Sequence, residues 1–226
     1  MTLEPIATFR SPLSEKFGLP RQSGLAPSLE GEIVFLPEYC DPSFVRGLEG
    51  FDRIWIIWSF SANHPSDKPS RPTVRPPRLG GNVQMGVFAT RSPQRPNPIG
   101  LSCVKVEEVE SGKGKLSIRV SGADLMDGTP VYDIKPYIPY CDSFPDARGG
   151  FVQEHEWVTL GVDSDGAGIL KKHFPGKDCE AIVQLLSQDP RPQYHSDPQR
   201  VYGMAFGGKN IRFRVEDGKV YITEVR

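Results

Sequence analysis

Residues 86–102 read GVFATRSPQRPNPIGLS, and no other stretch limits the fold as strongly. The apolar run Val87, Phe88, Ala89 has the length and composition of one strand. Pro93, Pro96 and Pro98 come soon after. Proline has no N–H to give a ladder and fixes φ, so a strand entering this stretch must leave its sheet as a stiff loop. The loop carries Arg91, Arg95 and Asn97, which bind anions or read a planar polar edge. Gly100 permits close backbone approach, and residues 101–106 return to strand-like composition.

A second dense segment, residues 124–142, reads DLMDGTPVYDIKPYIPYCD. Asp127, Gly128, Thr129 and Pro130 form a turn signal: an Asx side chain, a glycine for positive φ, a proline to stiffen the exit. Val131, Ile134 and Ile138 anchor the backbone, while Asp133, Lys135 and Tyr137 take polar positions. The carboxylates here complement the guanidiniums of the first loop. One cleft lined by both suits a zwitterionic ligand.

Between its turns the chain predicts mostly strands. Glycine and proline, 23 and 22 residues of 226, separate short aromatic and β-branched runs, which favours strands over long helices. Residues 32–36, 53–60, 82–90, 101–109 and 115–120 are predicted strands, with RIWIIWSF at 53–60 as a central one. Residues 42–48 predict a helical turn, and residues 61–77 a long Pro- and Ser-rich loop. The closely spaced strands point to a barrel or sandwich. Residues 143–150 read as a linker. Beyond it, residues 178–187 have helical spacing, and strands are predicted at 199–206, 210–215 and 220–225. The expected architecture is mainly β: a barrel domain over residues 1–142, and a small α+β domain over residues 151–226.

Charge is unevenly placed. The formal net charge is −1, yet residues 68–106 contain no Asp or Glu, where the chain's average of 28 acids predicts about five. The same segment holds Lys68, Arg71, Arg75, Arg78, Arg91, Arg95 and Lys105. A basic surface on a neutral protein suggests a specific anionic partner; a solvated loop is the other reading. Cys40, Cys103, Cys141 and Cys179 lie far apart without a Cys-x-x-Cys pair, so no metal site is expected. No apolar run reaches membrane-spanning length and the first residues carry no signal pattern, so a cytoplasmic protein with no membrane partner is expected. A Rossmann fingerprint is absent: Gly166 and Gly168 are followed by Lys171 where a third glycine belongs.

The words of both dense segments resemble the TsaA-like, or TrmO, family. So do EKFGLPRQSGL at 15–25, RGLEGF at 46–51, RPPRLGG at 75–81 and QDPRPQY at 188–194. The resemblance spans nearly the whole chain. It implies a single-barrel, non-Rossmann methyltransferase that uses S-adenosylmethionine. The implied acceptor is the exocyclic N-6 of threonylcarbamoyl-adenosine at position 37 of a tRNA, threonine tRNA foremost, within the anticodon stem-loop. The family is dimeric, so a homodimer is expected. For the cofactor the resemblance implies Pro20, Arg21, Gln22, Arg91, Leu101 and the turn Asp124, Leu125, Met126, Asp127.

Other roles follow from residue chemistry. Asp127, Asp133, Lys135 and Tyr137 are candidate bases, unranked. Arg95, Asn97 and Lys135 suit the acceptor and its carboxylate. Arg71, Arg75 and Arg78 form a candidate basic arm, and Arg191 and Tyr194 are candidate tRNA contacts in the second domain. That domain is expected to hold no methyl-transfer chemistry, so a chain ending near Gly149 is expected to keep cofactor affinity. A non-catalytic RNA-binding barrel and a small-molecule enzyme using the same cleft are the competing classes.

Overall fold

The computed structural model describes residues 2–61, 71–76, 83–112, 114–153, 158–192 and 197–226. In chain order the strands of the first half are β1 (Ala7–Arg10), β2 (Glu30–Phe35), β3 (Arg53–Ser59), β4 (Thr73–Val74), β5 (Met85–Gly86), β6 (Ile99–Gly112), β7 (Lys115–Ser121) and β8 (Thr129–Pro136). Helix α1 (Pro139–Asp142) and strand β9 (Gly161–Val162) lead into α2 (Ser164–Leu170) and α3 (Gly176–Ser187). Strands β10 (Tyr202–Phe206), β11 (Lys209–Glu216) and β12 (Lys219–Val225) complete the chain.

Six of these strands close an antiparallel barrel in the order β1-β2-β7-β6-β3-β8. Closure removes the edges that a flat sheet would leave unpaired. The alternation along β3 shows why the sequence suits it: Ile54, Ile56 and Trp58 are buried, and the residues between them face outward. They join Phe9, Ile33, Val104, Ile118, Val120 and Val131 in the barrel interior. Each such fully buried aliphatic side chain contributes roughly 1.5–3 kcal/mol.

The second sheet runs β10-β11-β12-β9, with β9 parallel to β12. Helices α2 and α3 supply Leu170, Ala181, Ile182, Leu185 and Leu186 to a core against Met204, Phe206, Ile211, Phe213 and Val220. Leu13, Ala26 and Leu29, from the β1–β2 connection, sit in this same core. Phe17 of that connection stacks on Tyr202 at 6.4 Å and on Phe213 at 6.3 Å. Ser28 N–H donates to Gln184 Oε1 at 2.9 Å, and Gly207 N–H to Pro12 O at 2.8 Å. In sequence, residues 11–29 lie inside the first domain; in packing they belong to the second core.

Two local expectations need correction. Residues 82–90 are not one strand. Met85–Gly86 pairs with Thr73–Val74, and Val87–Ala89 is a 3-10 turn. The Thr90 N–H and hydroxyl both donate to Val87 O, at 3.2 and 2.9 Å. That local bonding offers the backbone an alternative to a ladder. Residues 61–77 in turn are not loop throughout, since Thr73 and Val74 are in β4. Helix α2 has no counterpart in the sequence reading. Its start is capped by Asp163, whose carboxylate accepts from Asp165 N–H and Gly166 N–H.

Candidate functional site

A cavity of about 470 Å³ opens where β3, β6 and the start of β8 meet the β1–β2 connection and the loop after residue 89. One wall is Lys16, Leu19, Pro20, Arg21 and Gln22. The opposite wall is Thr90, Arg91, Pro93 and Arg95. Trp55, Trp58, Phe60, Ile99, Gly100 and Leu101 contribute its apolar surface, and Asp124, Met126 and Thr129 its third side. Size and mixed lining are those of a small-molecule site.

The floor is built around Gly100. Gly100 pairs with Trp58 across β6 and β3, and a Cβ there would lie 2.3 Å from the indole. Only glycine lets the ring cover the strand. Trp58 also meets Phe60 edge-on, with centroids 4.4 Å apart. The indole N–H donates to Ser102 Oγ at 2.9 Å, and the Ser102 hydroxyl donates to Asp124 Oδ1 at 2.5 Å. Burial pushes the Asp124 carboxyl up from its ordinary value. The Ser102 hydroxyl, backbone amides and the nearby Arg91 charge pull it partly back.

The rim is more open. Arg91 donates to Gln22 Oε1, joining the two walls. Arg95 is turned onto its own loop, donating to Thr90 O at 3.1 Å and Ser92 O at 3.4 Å. Arg21 donates to Asp189 O at 3.2 Å, tying the first wall to the second domain.

The fold therefore brings Pro20, Arg21, Gln22, Arg91, Arg95, Leu101, Asp124 and Met126 around one cavity. Leu125 points into the barrel core, 1% exposed, so a ligand could meet only its backbone. Asp127 accepts from Ser11 N–H at 3.0 Å and faces Arg10 at 3.9 Å. Asp133 and Lys135 pair with each other at 3.0 Å. Tyr137 packs on Trp55, with centroids 5.8 Å apart. None of these last four residues lines the cavity.

Asn97 is exposed, with its carbonyl accepting from Ile99 N–H at 2.7 Å. Arg71 and Arg75 are exposed on either side of β4. Arg191 is mostly buried and forks onto the Asp189 carboxylate at 2.7 and 2.9 Å. Arg78 and Tyr194 lie outside the described residues.

Sequence reasoning missed Trp58 and Ser102 as site residues. Trp58 looked like core and Ser102 like ordinary strand. The signal that could have found them was Gly100, because a glycine inside a strand marks close approach by another group.

Comparison with known proteins gives one answer. Residues 8–143 match the tRNA-methyltransferase O N-terminal domain family, and residues 171–226 match the TrmO C-terminal domain family. A tRNA (adenine(37)-N6)-methyltransferase of Escherichia coli is 41% identical over 99% of this chain and 97% of its own length. The human protein of the same name is 43% identical over 62% of this chain and 31% of its own length. A crystal structure of TrmO from Pseudomonas aeruginosa superposes with a TM-score of 0.80 at 31% identity, covering 100% of this chain and 98% of that one.

Proposed function

The chain belongs to the tRNA-methyltransferase O family, and on that premise we propose that it moves a methyl group from S-adenosylmethionine to N-6 of adenosine 37 in tRNA. We take the acceptor to be threonylcarbamoyl-adenosine in the anticodon loop, with threonine tRNA as the main substrate. The observation that carries this reading is the convergence of Asp124, Arg91 and an aromatic floor around one cavity.

The lining fits the cofactor. Asp124 offers a carboxylate to a cation, and Arg91 and Arg21 offer guanidiniums to a carboxylate. Trp55, Trp58 and Phe60 offer ring surface to a purine, and the backbone of residues 124–127 offers polar groups beside it. When bound, the cofactor supplies an electrophilic methyl on a sulfonium. In the transfer a bond from N-6 to that methyl would form as the methyl–sulfur bond breaks, leaving a neutral thioether, and N-6 would give up one proton to water. Asp127, Asp133, Lys135 and Tyr137 stand outside the cavity lining; we take most of the rate to come from positioning, with a base from this unranked set as an aid. An anticodon-loop base is already unpaired and enters a pocket at small cost.

A homodimer belongs to the same reading. Phe88, Ile99, Leu101, Tyr140 and Phe144 leave apolar surface exposed on and beside the barrel, suited to a second copy. The four cysteines are free thiols, which suits the reducing cytoplasm.

The test has two steps. The full chain is titrated calorimetrically with S-adenosylmethionine, then supplied with tRNA from cells with and without the threonylcarbamoyl group. Binding followed by methylation of the modified tRNA alone is the expected outcome. Equal methylation of both tRNAs refutes the dependence, and no binding at millimolar cofactor refutes the cofactor assignment.

A further inference from the structure

The cavity floor contains a hydrogen-bonded chain whose direction is fixed by chemistry. An indole N–H can only donate. Trp58 Nε1 therefore makes Ser102 Oγ an acceptor at 2.9 Å. Ser102 is fully buried, and its one proton goes to Asp124 Oδ1 at 2.5 Å. That length lies in the range of a hydroxyl donating to an ionised carboxylate. Protonation of Oδ1 would set two donors against each other and would oblige the Ser102 hydroxyl to find another acceptor.

We propose that Trp58 and Ser102 are positioning residues for the transfer, a relay that keeps Asp124 anionic and oriented at the cavity for the cationic part of the cofactor, its sulfonium or ammonium. The proposal rests on the reading that S-adenosylmethionine binds in this cavity. The relay meets a specific need. A carboxylate partly out of water tends to take up a proton and lose its hold on a cation. One charge-assisted hydrogen bond, itself oriented by a rigid ring, opposes this alongside the cavity's own cations. Gly100 belongs to the same device, because it lets the indole lie over the strand with its N–H at Ser102.

Other groups bear on the titration of Asp124. Arg91 acts on it through its charge, and Ser23 through its backbone. Lys16, Arg21 and Arg95 line the same cavity. All of them favour the anion, and none is altered by the variants chosen.

The test is calorimetric titration of the full-length chain with S-adenosylmethionine from acidic to alkaline pH. In the parent protein affinity falls on acidification as Asp124 protonates. Ser102→Ala removes the proton donor and moves the midpoint of that fall up by about one pH unit. Affinity below the midpoint then drops about tenfold and recovers to within about threefold of the parent at alkaline pH. A pocket merely damaged by the substitution would not recover. Trp58→Phe keeps an aromatic ring and loses the N–H, and shifts the midpoint in the same direction by less.

An unchanged midpoint in both variants overturns the relay. Asp124→Asn separates the relay from its premise, since it keeps an acceptor for Ser102 and removes the charge. If Asp124→Asn loses affinity while the other two variants leave the midpoint in place, only the relay falls. If Asp124→Asn binds as tightly as the parent, the cofactor reading of Asp124 falls and the relay with it.

Discussion

The barrel and the second domain both pack a sheet against apolar side chains, but they obtain those side chains differently. The barrel encloses its own. Ile54, Ile56, Val104, Ile118 and Val131 all come from strands that close on one another. The second sheet is open. It is covered by α2 and α3 and also by Leu13, Ala26 and Leu29, borrowed from a loop that leaves the barrel and returns to it. The borrowed loop passes the cavity between those anchors. Lys16, Leu19, Pro20, Arg21 and Gln22 form one wall, while the barrel supplies the floor. A site at such a seam depends on both cores, although among the described residues the second domain itself lends no side chain to the cavity lining.

Removal of residues 150–226 parts the two cores most severely. It uncovers Leu13, Ala26 and Leu29, which are at most 2% exposed in the intact chain. Burial of three such side chains contributes on the order of 5 kcal/mol. Without it, residues 11–29 have little to offset their ordering entropy. The packing thus argues for the opposite outcome to the one expected from the sequence, and the truncate decides between them. The truncated chain should keep barrel strand content by circular dichroism and lose at least about a hundredfold in S-adenosylmethionine affinity by calorimetry. A truncate that binds within about threefold of the parent would show that the wall stands without the second core.

How much of this was legible follows from the range of each interaction. Of the barrel strands, β2, β3, β6 and β7 were readable because apolar runs rich in β-branched and aromatic residues, such as RIWIIWSF, are a local signal, whereas β1 and β8 were not predicted. Of the cavity residues, Arg91, Arg95, Leu101, Asp124 and Met126 were readable through the words around Arg91 and Asp124, and Pro20, Arg21 and Gln22 through the resemblance at 15–25. The destination of residues 11–29 was not, because Leu13 and Leu29 pack into a core built mainly from residues 170–222 and carry no period of their own. The Trp58–Ser102 hydrogen bond was hidden for a similar reason. An inward tryptophan on a strand has the same pattern whether it fills a core or floors a site. Val87–Ala89 misled because its composition suits a strand, while Thr90 decides its geometry from outside the run.

Two glycines, one beside each core, tell the cores apart by a gentler route. Gly100→Ala puts a methyl group 2.3 Å from the Trp58 ring. It should destabilise the chain by about 1–3 kcal/mol and weaken cofactor binding at least about tenfold, because the ring belongs to the floor. Gly166→Ala, on α2, puts a methyl group 2.9 Å from Ile222 Cβ. Helix propensity offsets that clash by about 1 kcal/mol, so the loss of stability is smaller. Cofactor affinity should change less than about threefold, because α2 touches the second core and not the cavity. Urea denaturation gives the stabilities and calorimetry the affinities. Equal losses of affinity in the two variants would mean that the cavity responds to stability in general and not to its own floor.

The smallest effect concerns a part of the chain that belongs to neither core. Arg71 and Arg75 flank β4, which pairs with the two-residue β5, and both side chains are exposed. They sit in the acid-free segment of residues 68–106, which has no carboxylate of its own to repel a phosphate. Prolines at 69, 72, 76 and 77 reduce the freedom this segment loses on ordering. Cationic side chains so placed hold a nucleic-acid backbone without reading its bases. Removing one phosphate-bound cation lowers the slope of log affinity against log salt by roughly 0.7–0.9. Arg71→Ala combined with Arg75→Ala should therefore weaken all tRNAs alike and flatten that slope by about 1.5. S-adenosylmethionine affinity should stay where it is, since neither residue lines the cavity. Filter binding across a salt series measures the slope. An unaltered slope would make the segment a solvated spacer, and would leave RNA grip to surfaces that the two cores themselves present.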